Sequence, residues 1–223
     1  VAVLGEAFGM TGEAASRSDI GLLSNQMNLL QALKKTGKPI FLVLMNGRPM
    51  TLSWEDKNLD GMLEAWFGVT MAGPSLSDVL LGDADPSGKI TMTFPRSVGQ
   101  IPIYYNHENT GRPFDPSQKY TSKYLDMDNS PLYPFGYGLT YTSFNYSDVS
   151  LSNSALKMSG KMTAAVNITN TGTRKGKETV QLYIRDMVGS ISRPVKELKG
   201  FQQITLSPGE TKKVSFALSV NDL

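Results

Sequence analysis

Residues 39–47 read Pro-Ile-Phe-Leu-Val-Leu-Met-Asn-Gly, an apolar run between a proline and an Asn-Gly pair. A short, unbroken apolar run bounded by turn residues is typical of a strand that is buried on both faces, as in a parallel sheet. This run is the longest apolar stretch of the chain, and it is far too short to cross a bilayer.

Strand-like and helix-like segments alternate on both sides of this run. The expected elements are strands at residues 1–4, 40–45 and 62–67 and helices at residues 24–36 and 74–81. Ser24 is expected to cap the first helix and Gly37 to stop it. Alternation of strands and helices at short spacing predicts a parallel α/β sheet domain over residues 1–95.

The remainder of the chain consists of two segments with different residue patterns. Residues 96–143 are rich in Pro, Gly, Tyr and Asn without a clear period, which predicts a long linker that builds the rim of a site. Residues 144–223 alternate apolar and polar side chains between short turns, which predicts an antiparallel β-sandwich with about five strands. Because the chain opens directly on a strand and ends at Asn221-Asp222-Leu223, we expect an incomplete α/β domain and a C-terminally truncated sandwich.

Composition excludes several classes of function. The chain has 223 residues, no Cys and one His, so disulfides, thiolate metal sites and His-rich metal sites are all excluded. Its formal net charge is +2, and its Lys and Arg residues are scattered, so no nucleic-acid partner is indicated. No membrane partner is expected either.

Several motifs, in a fixed order, carry a family resemblance. They are Val3-Leu4-Gly5-Glu6 with Gly12-Glu13 and Arg17-Ser18-Asp19; Asn46-Gly47-Arg48-Pro49; Gly82-Asp83 to Pro86-Ser87-Gly88-Lys89 with Thr93-Phe94-Pro95; Pro134 to Tyr141; and Arg193 to Phe201 with Pro208-Gly209-Glu210. Together they resemble the C-terminal domains of family 3 glycoside hydrolases, especially the bacterial periplasmic β-glucosidases. The resemblance implies that a fibronectin-III-like module follows the α/β domain.

The resemblance also implies a function. In this family an N-terminal barrel, which nothing here resembles, supplies an Asp nucleophile, and the second domain supplies an acid/base from a loop. The expected parent is a retaining β-glucosidase acting on terminal β-glucosides or cello-oligosaccharides, without cofactor or metal, periplasmic or secreted and able to form a homodimer. The isolated chain is expected to be inactive. The alternatives are a non-catalytic scaffold or saccharide-binding fragment, and a β-xylosidase.

The candidate site residues follow from this chemistry. A retaining glycosidase needs a protonated carboxyl beside the leaving oxygen. Most loop carboxylates are solvated surface charges, and the resemblance selects Glu13 as the acid/base. Its rival Glu6, directly after a strand, is interpreted as a structural carboxylate that holds the loop.

The other candidates are weaker. Arg17 is expected either to brace the loop through an ion pair with Asp19 or to bind sugar hydroxyls. His107 and Arg112, in an aromatic and polar stretch, are candidates for the rim of the active site, with an ordinary surface loop as the alternative. Trp54 and Trp66 are expected to be core residues.

Overall fold

In the computed structural model, which describes residues 1–223, the chain divides into two units. The first comprises Val1–Leu80, Ile90–Tyr104 and Tyr124–Phe135. The second comprises Leu81–Lys89, Tyr105–Lys123 and Gly136–Leu223. The segment expected to be one linker therefore contributes residues to both units.

A three-stranded parallel sheet lies at the centre of the first unit, in the order β1-β2-β3. The strands are β1 (Ala2–Gly5), β2 (Phe41–Met45) and β3 (Gly61–Glu64). In the middle strand, Leu42, Val43 and Leu44 are at most 1% exposed. Burial on both faces explains the unbroken apolar run of β2, and the predicted parallel α/β sheet is confirmed.

Three α-helices accompany these strands: α1 (Ser24–Lys34), α2 (Ser53–Asn58) and α3 (Ala72–Leu81). Leu30 of α1 is fully buried and belongs to the core that includes Leu42 and Leu44. The other buried members of this core are Ala2, Leu22, Ile40, Met50, Leu52 and Phe94. None of the helices combines the length and the apolar character that a bilayer-spanning helix requires.

Two local expectations differ from the structure. Ser24 is the first residue of α1 rather than its cap: the capping position is Leu23, whose side chain forms no capping hydrogen bond. The third strand ends at Glu64 instead of residue 67, because the Glu64 carboxylate accepts the Trp66 N–H at 3.0 Å and Trp66 adopts a left-handed φ of +50°. Trp54 and Trp66 both pack against the core of the first unit, as predicted.

The second unit contains six strands in two antiparallel groups. In one group, β6 (Lys161–Asn170) pairs with β4 (Phe144–Tyr146), β5 (Ser150–Leu151) and β9 (Thr211–Ser219). The other group is the hairpin of β7 (Gly176–Ile184) and β8 (Glu197–Leu206). The expected all-β module is confirmed with one strand more than the sequence indicated.

Side chains from both groups form the core of this module. Ile168, Val180, Ile204, Leu206 and Val214 are its buried members. They come from β6, β7, β8 and β9, so burying them holds the hairpin against the larger sheet.

An arm formed by residues 81–89 joins the module along β7. The Asp85 carboxylate accepts the N–H groups of Tyr141 and Lys177, each at 2.9 Å. Lys89 donates to the Gly138 carbonyl at 2.8 Å and forms an ion pair with Glu178 at 3.3 Å. Two motifs that are far apart in the sequence therefore meet on one strand.

We predict that Gly5→Ala prevents the first unit from folding normally. Gly5 has φ of +144°, and a Cβ there would lie 1.8 Å from the Met45 carbonyl oxygen, a backbone atom that cannot move aside. The expected loss is at least about 3 kcal/mol of unfolding free energy. Both tryptophans, Trp54 and Trp66, lie in this unit, so urea unfolding followed by tryptophan fluorescence measures it.

The matched control is Gly9→Ala, because Gly9 has open space around its Cβ position and no left-handed φ. Its unfolding midpoint should match that of the parent chain. Equal midpoints for Gly5→Ala and Gly9→Ala would contradict the predicted close approach of β1 to β2.

Candidate active site at the carboxyl edge of the sheet

Polar side chains stand where each strand of the parallel sheet ends. Glu6 directly follows β1, Asn46 directly follows β2, and Glu64 is the last residue of β3. Parallel strands end at the same edge, so these three side chains share one edge of the sheet. The carboxyl edge is where open α/β sheets place their ligand sites.

The Glu6 carboxylate is fully buried and binds two guanidinium groups. Arg17 donates to it at 2.8 Å and Arg48 at 3.0 Å. The Gly47 N–H adds a third hydrogen bond at 3.3 Å. Three donors thus surround a charge that would be costly to bury alone. The interpretation of Glu6 as the structural carboxylate of the loop agrees with these contacts.

The segment after β2 is in direct contact with the loop that follows β1. The Asn46 amide donates to the Arg48 carbonyl at 2.7 Å, which tightens the turn. The Thr11 hydroxyl donates to the Gly47 carbonyl at 3.3 Å. A Cβ on Gly47 would come within 2.5 Å of the Thr11 side chain and 2.8 Å of the Phe67 ring, so only glycine admits this approach.

Glu13 lies at the tip of the loop, in a turn that the Ala15 N–H closes by donating to the Gly12 carbonyl at 3.3 Å. Its neighbour Ala14 has a left-handed φ of +60°, which is uncommon for a residue with a side chain. Glu13 is exposed and takes part in no ion pair. Its carboxyl group is therefore available to a ligand, whereas the carboxylate of Glu6 is occupied.

Glu64 is the second largely buried carboxyl group at this edge. Burial raises its pKa to about 7, and the hydrogen bond from the Trp66 N–H and the nearby Asn46 side chain only partly oppose this rise. Its Oε2 atom is buried and has no hydrogen-bond partner. A protonated carboxyl suits this position better than a carboxylate, because burial disfavours the charge.

A depression of about 320 Å³ opens beside the end of β1. Its lining comprises Val3, Leu4, Gly5, Glu6, Ala7, Gln26 and Met45. Glu13 is not among these residues. No group of three or more carboxylate or imidazole side chains is arranged to hold a metal ion.

The remaining candidates have separate surroundings. Arg17 pairs with Glu6 and donates to the Gly21 carbonyl at 3.0 Å. The expected pair with Asp19 is replaced, because the Asp19 carboxylate accepts the Gly21 N–H at 2.8 Å. His107 and Arg112 are exposed residues of the second unit, and the His107 carbonyl accepts the Val195 N–H at 2.9 Å. Sugar binding by Arg17, His107 and Arg112 stays a prediction.

Family models match both parts of the chain. Residues 1–141 match the glycosyl hydrolase family 3 C-terminal domain. The chain belongs to this family. Residues 178–223 match the fibronectin type III-like domain, in agreement with the six-stranded module of the second unit. The resemblance that the motifs indicated is thereby confirmed.

Individual family 3 proteins are similar over nearly the whole chain. The periplasmic beta-glucosidase of Salmonella typhimurium is 56% identical over 100% of this chain, which spans 29% of that protein. A beta-xylosidase of Formosa agariphila is 44% identical over 100% of the chain, which spans 30% of it. The crystal structure of a beta-glucosidase from Listeria innocua in complex with glucose is 43% identical, with a TM-score of 0.92 over 98% of this chain and 31% of that one. The chain thus spans about three tenths of the relatives that it matches.

Sequence reasoning missed the contributions of Arg48, Asn46 and Glu64 to this edge. The motif Asn46-Gly47-Arg48-Pro49 marked a strand end, but nothing in it indicated that the Arg48 guanidinium reaches the loop after another strand. A polar residue at the end of each parallel strand is the signal that could have grouped them.

We predict that the stability of the first unit falls as pH rises, because of Glu64. Its folded-state pKa of about 7 lies above the ordinary value of 4.5, so between these values the folded state holds a proton that the unfolded state has released. The unfolding free energy should therefore decline from pH 4.5 to 7, by about 3 kcal/mol in total, and level off above. Urea unfolding followed by tryptophan fluorescence at pH 5 and pH 8 measures the decline.

The comparison variant is Glu64→Gln, which cannot ionise and should lose this part of the decline. Desolvation by burial also raises the pKa of Glu55, so the parent and the variant share the Glu55 contribution and only their difference is informative. Identical declines in the two proteins would contradict the assignment to Glu64.

Proposed function

We propose that this chain supplies the acid/base half of the active site of a retaining β-glucosidase, with Glu13 as the acid/base. The observation that carries the proposal is the exposed, unpaired Glu13 side chain on a fixed loop at the carboxyl edge of the parallel sheet. The carboxylate of Glu6, at the base of this loop, is not available to a substrate, because two guanidinium groups and an N–H group already contact its oxygens.

The reaction has two balanced steps. A carboxylate nucleophile attacks the anomeric carbon while Glu13 gives its proton to the departing glycosidic oxygen, which breaks the C–O bond. Glu13 then takes a proton from water, whose oxygen attacks the anomeric carbon and releases the nucleophile. The two carboxyl groups of such enzymes stand about 5–5.5 Å apart. The nucleophile belongs to a barrel segment of the whole protein.

Glucosides are the proposed substrates, and a periplasmic or secreted location is the proposed site of action. Support comes from the Salmonella typhimurium relative, whose name gives both the activity and the compartment, and from its higher identity than that of the Formosa agariphila beta-xylosidase. Comparing p-nitrophenyl β-glucoside with p-nitrophenyl β-xyloside in the full-length enzyme tests the sugar. Faster hydrolysis of the xyloside would overturn this choice.

The test of Glu13 uses Glu13→Gln in the full-length enzyme. Loss of general-acid assistance should lower kcat/KM for a poorly activated glucoside by about 10²–10⁴-fold. With an activated aryl glucoside, added azide should restore turnover and yield β-glucosyl azide, because azide needs no general base. The discriminating control is Glu6→Gln, which should show no azide rescue. Unchanged turnover of Glu13→Gln, or rescue of Glu6→Gln instead, would remove Glu13 from the proposed role.

A second prediction concerns the 223-residue chain alone. Without a nucleophile it should release no p-nitrophenol from p-nitrophenyl β-glucoside above the rate in buffer. Purified chain at a concentration equal to that of active full-length enzyme provides the comparison. Steady release from the chain would show that it holds a complete catalytic pair, and the proposed division of the site would be wrong.

A further inference from the structure

The Arg48 side chain forms hydrogen bonds to the Glu13 loop near both ends of its turn. Its Nη2 atom donates to the carbonyls of Met10 and Ala15, the latter at 2.8 Å. Its Nε atom meanwhile contacts the buried Glu6 carboxylate at 3.0 Å. Arg48 belongs to the segment after β2, so these bonds tie the loop of one strand to the end of the neighbouring strand.

The turn that Arg48 brackets is strained at Ala14. A left-handed φ costs roughly 1–2 kcal/mol for a residue with a Cβ, so an isolated Gly12–Ala15 turn would relax to other conformations. Of the two carbonyls bound by Arg48, that of Met10 lies two residues before the turn and that of Ala15 belongs to its last residue, so Arg48 holds the turn near both ends. The direction of the Glu13 side chain therefore depends on the Arg48 guanidinium.

We propose that Arg48 is a positioning residue for proton donation, acting through the Glu13 loop rather than by touching substrate. The proposal rests on the proposed function, since it assumes that Glu13 is the acid/base. Proton transfer requires the donor to lie within hydrogen-bond reach of the leaving oxygen, and a displacement of 1 Å can cost about 10²-fold in rate. A variant that keeps a positive charge at position 48 but lacks the planar guanidinium should fold normally and misplace the Glu13 carboxyl group.

Leaving-group dependence separates this role from ordinary stabilisation. A 2,4-dinitrophenolate departs with little protonation, whereas a phenolate departs slowly without an acid. The ratio of kcat/KM for 2,4-dinitrophenyl β-glucoside to kcat/KM for phenyl β-glucoside therefore reports proton donation. Because the ratio is independent of the concentration of active enzyme, a variant that folds in low yield still gives a valid result.

The experiment uses Arg48→Lys in the full-length enzyme. Lysine keeps the positive charge near Glu6, but its compact ammonium cannot reproduce the planar fork that bonds Glu6, Met10 and Ala15 together. The ratio should rise about 10- to 100-fold, with the loss confined to the phenyl substrate. The matched control is Arg96→Lys, since Arg96 also binds a backbone carbonyl of the first unit, that of Ser130 at 2.9 Å, away from this loop. Its ratio should equal that of the parent.

Glu13→Gln provides the reference for complete loss of the acid. A raised ratio in both Glu13→Gln and Arg48→Lys supports the proposal. A raised ratio in Glu13→Gln with an unchanged one in Arg48→Lys overturns the positioning role while leaving Glu13 as the acid. An unchanged ratio in Glu13→Gln overturns the proposed function itself, and the role of Arg48 with it.

Discussion

The carboxylate of Glu6 accepts hydrogen bonds from two guanidinium groups and one backbone N–H at the carboxyl edge of the parallel sheet. Burying an isolated carboxylate costs several kcal/mol, and pairing offsets this cost only when the remaining lone pairs are also satisfied. Here the three partners come from two places in the chain: Arg17 from the loop itself, and Gly47 and Arg48 from the end of β2. The buried charge therefore selects one loop path, because any other path leaves charges without partners.

The same edge shows why a parallel sheet suits such a site. Strand interiors such as Leu42 to Leu44 must be apolar on both faces, so polar chemistry is confined to the residues where strands end. Glu6, Asn46 and Glu64 occupy those positions, and the two carboxyl groups among them have different surroundings. Glu6 is ion-paired, and burial favours the neutral form of Glu64. The carboxyl group of Glu13, at the exposed tip of the loop, takes part in no ion pair.

The sequence predicted those features of the fold that are encoded locally. The apolar run at 40–45 predicted a strand buried on both faces, and the alternation within Lys161–Asn170 predicted a half-buried strand. The helix α2 was not recognised, because six residues are too few to show a helical period. The early end of β3 depends on the Glu64 carboxylate capturing the Trp66 N–H, a side-chain contact that no periodicity reveals. Family motifs located the Glu13 loop, yet the sequence suggested Asp19 rather than Glu6 as the partner of Arg17 and gave no indication of the partners of Arg48.

Long-range tethers explain why the middle of the chain resisted prediction. The Asp85 carboxylate accepts hydrogen bonds from N–H groups 56 and 92 residues further along the chain. Such pairs carry no local pattern, so a segment whose structure depends on them looks structureless in sequence.

A fixed loop is also what a divided active site requires. When two reacting carboxyl groups come from different segments, any mobile loop that carries one of them must be ordered before the reaction. The conformational entropy lost in that ordering lowers the rate. The Glu13 turn is already ordered in this structure. Arg48 bonds the loop next to the left-handed Ala14, and the ion pair with Glu6 fixes the position of Arg48. Every contact in this chain of dependence lies within the first unit. The proposed donor is therefore oriented by contacts of this unit, and the proposed nucleophile would have to meet a position that these contacts already define.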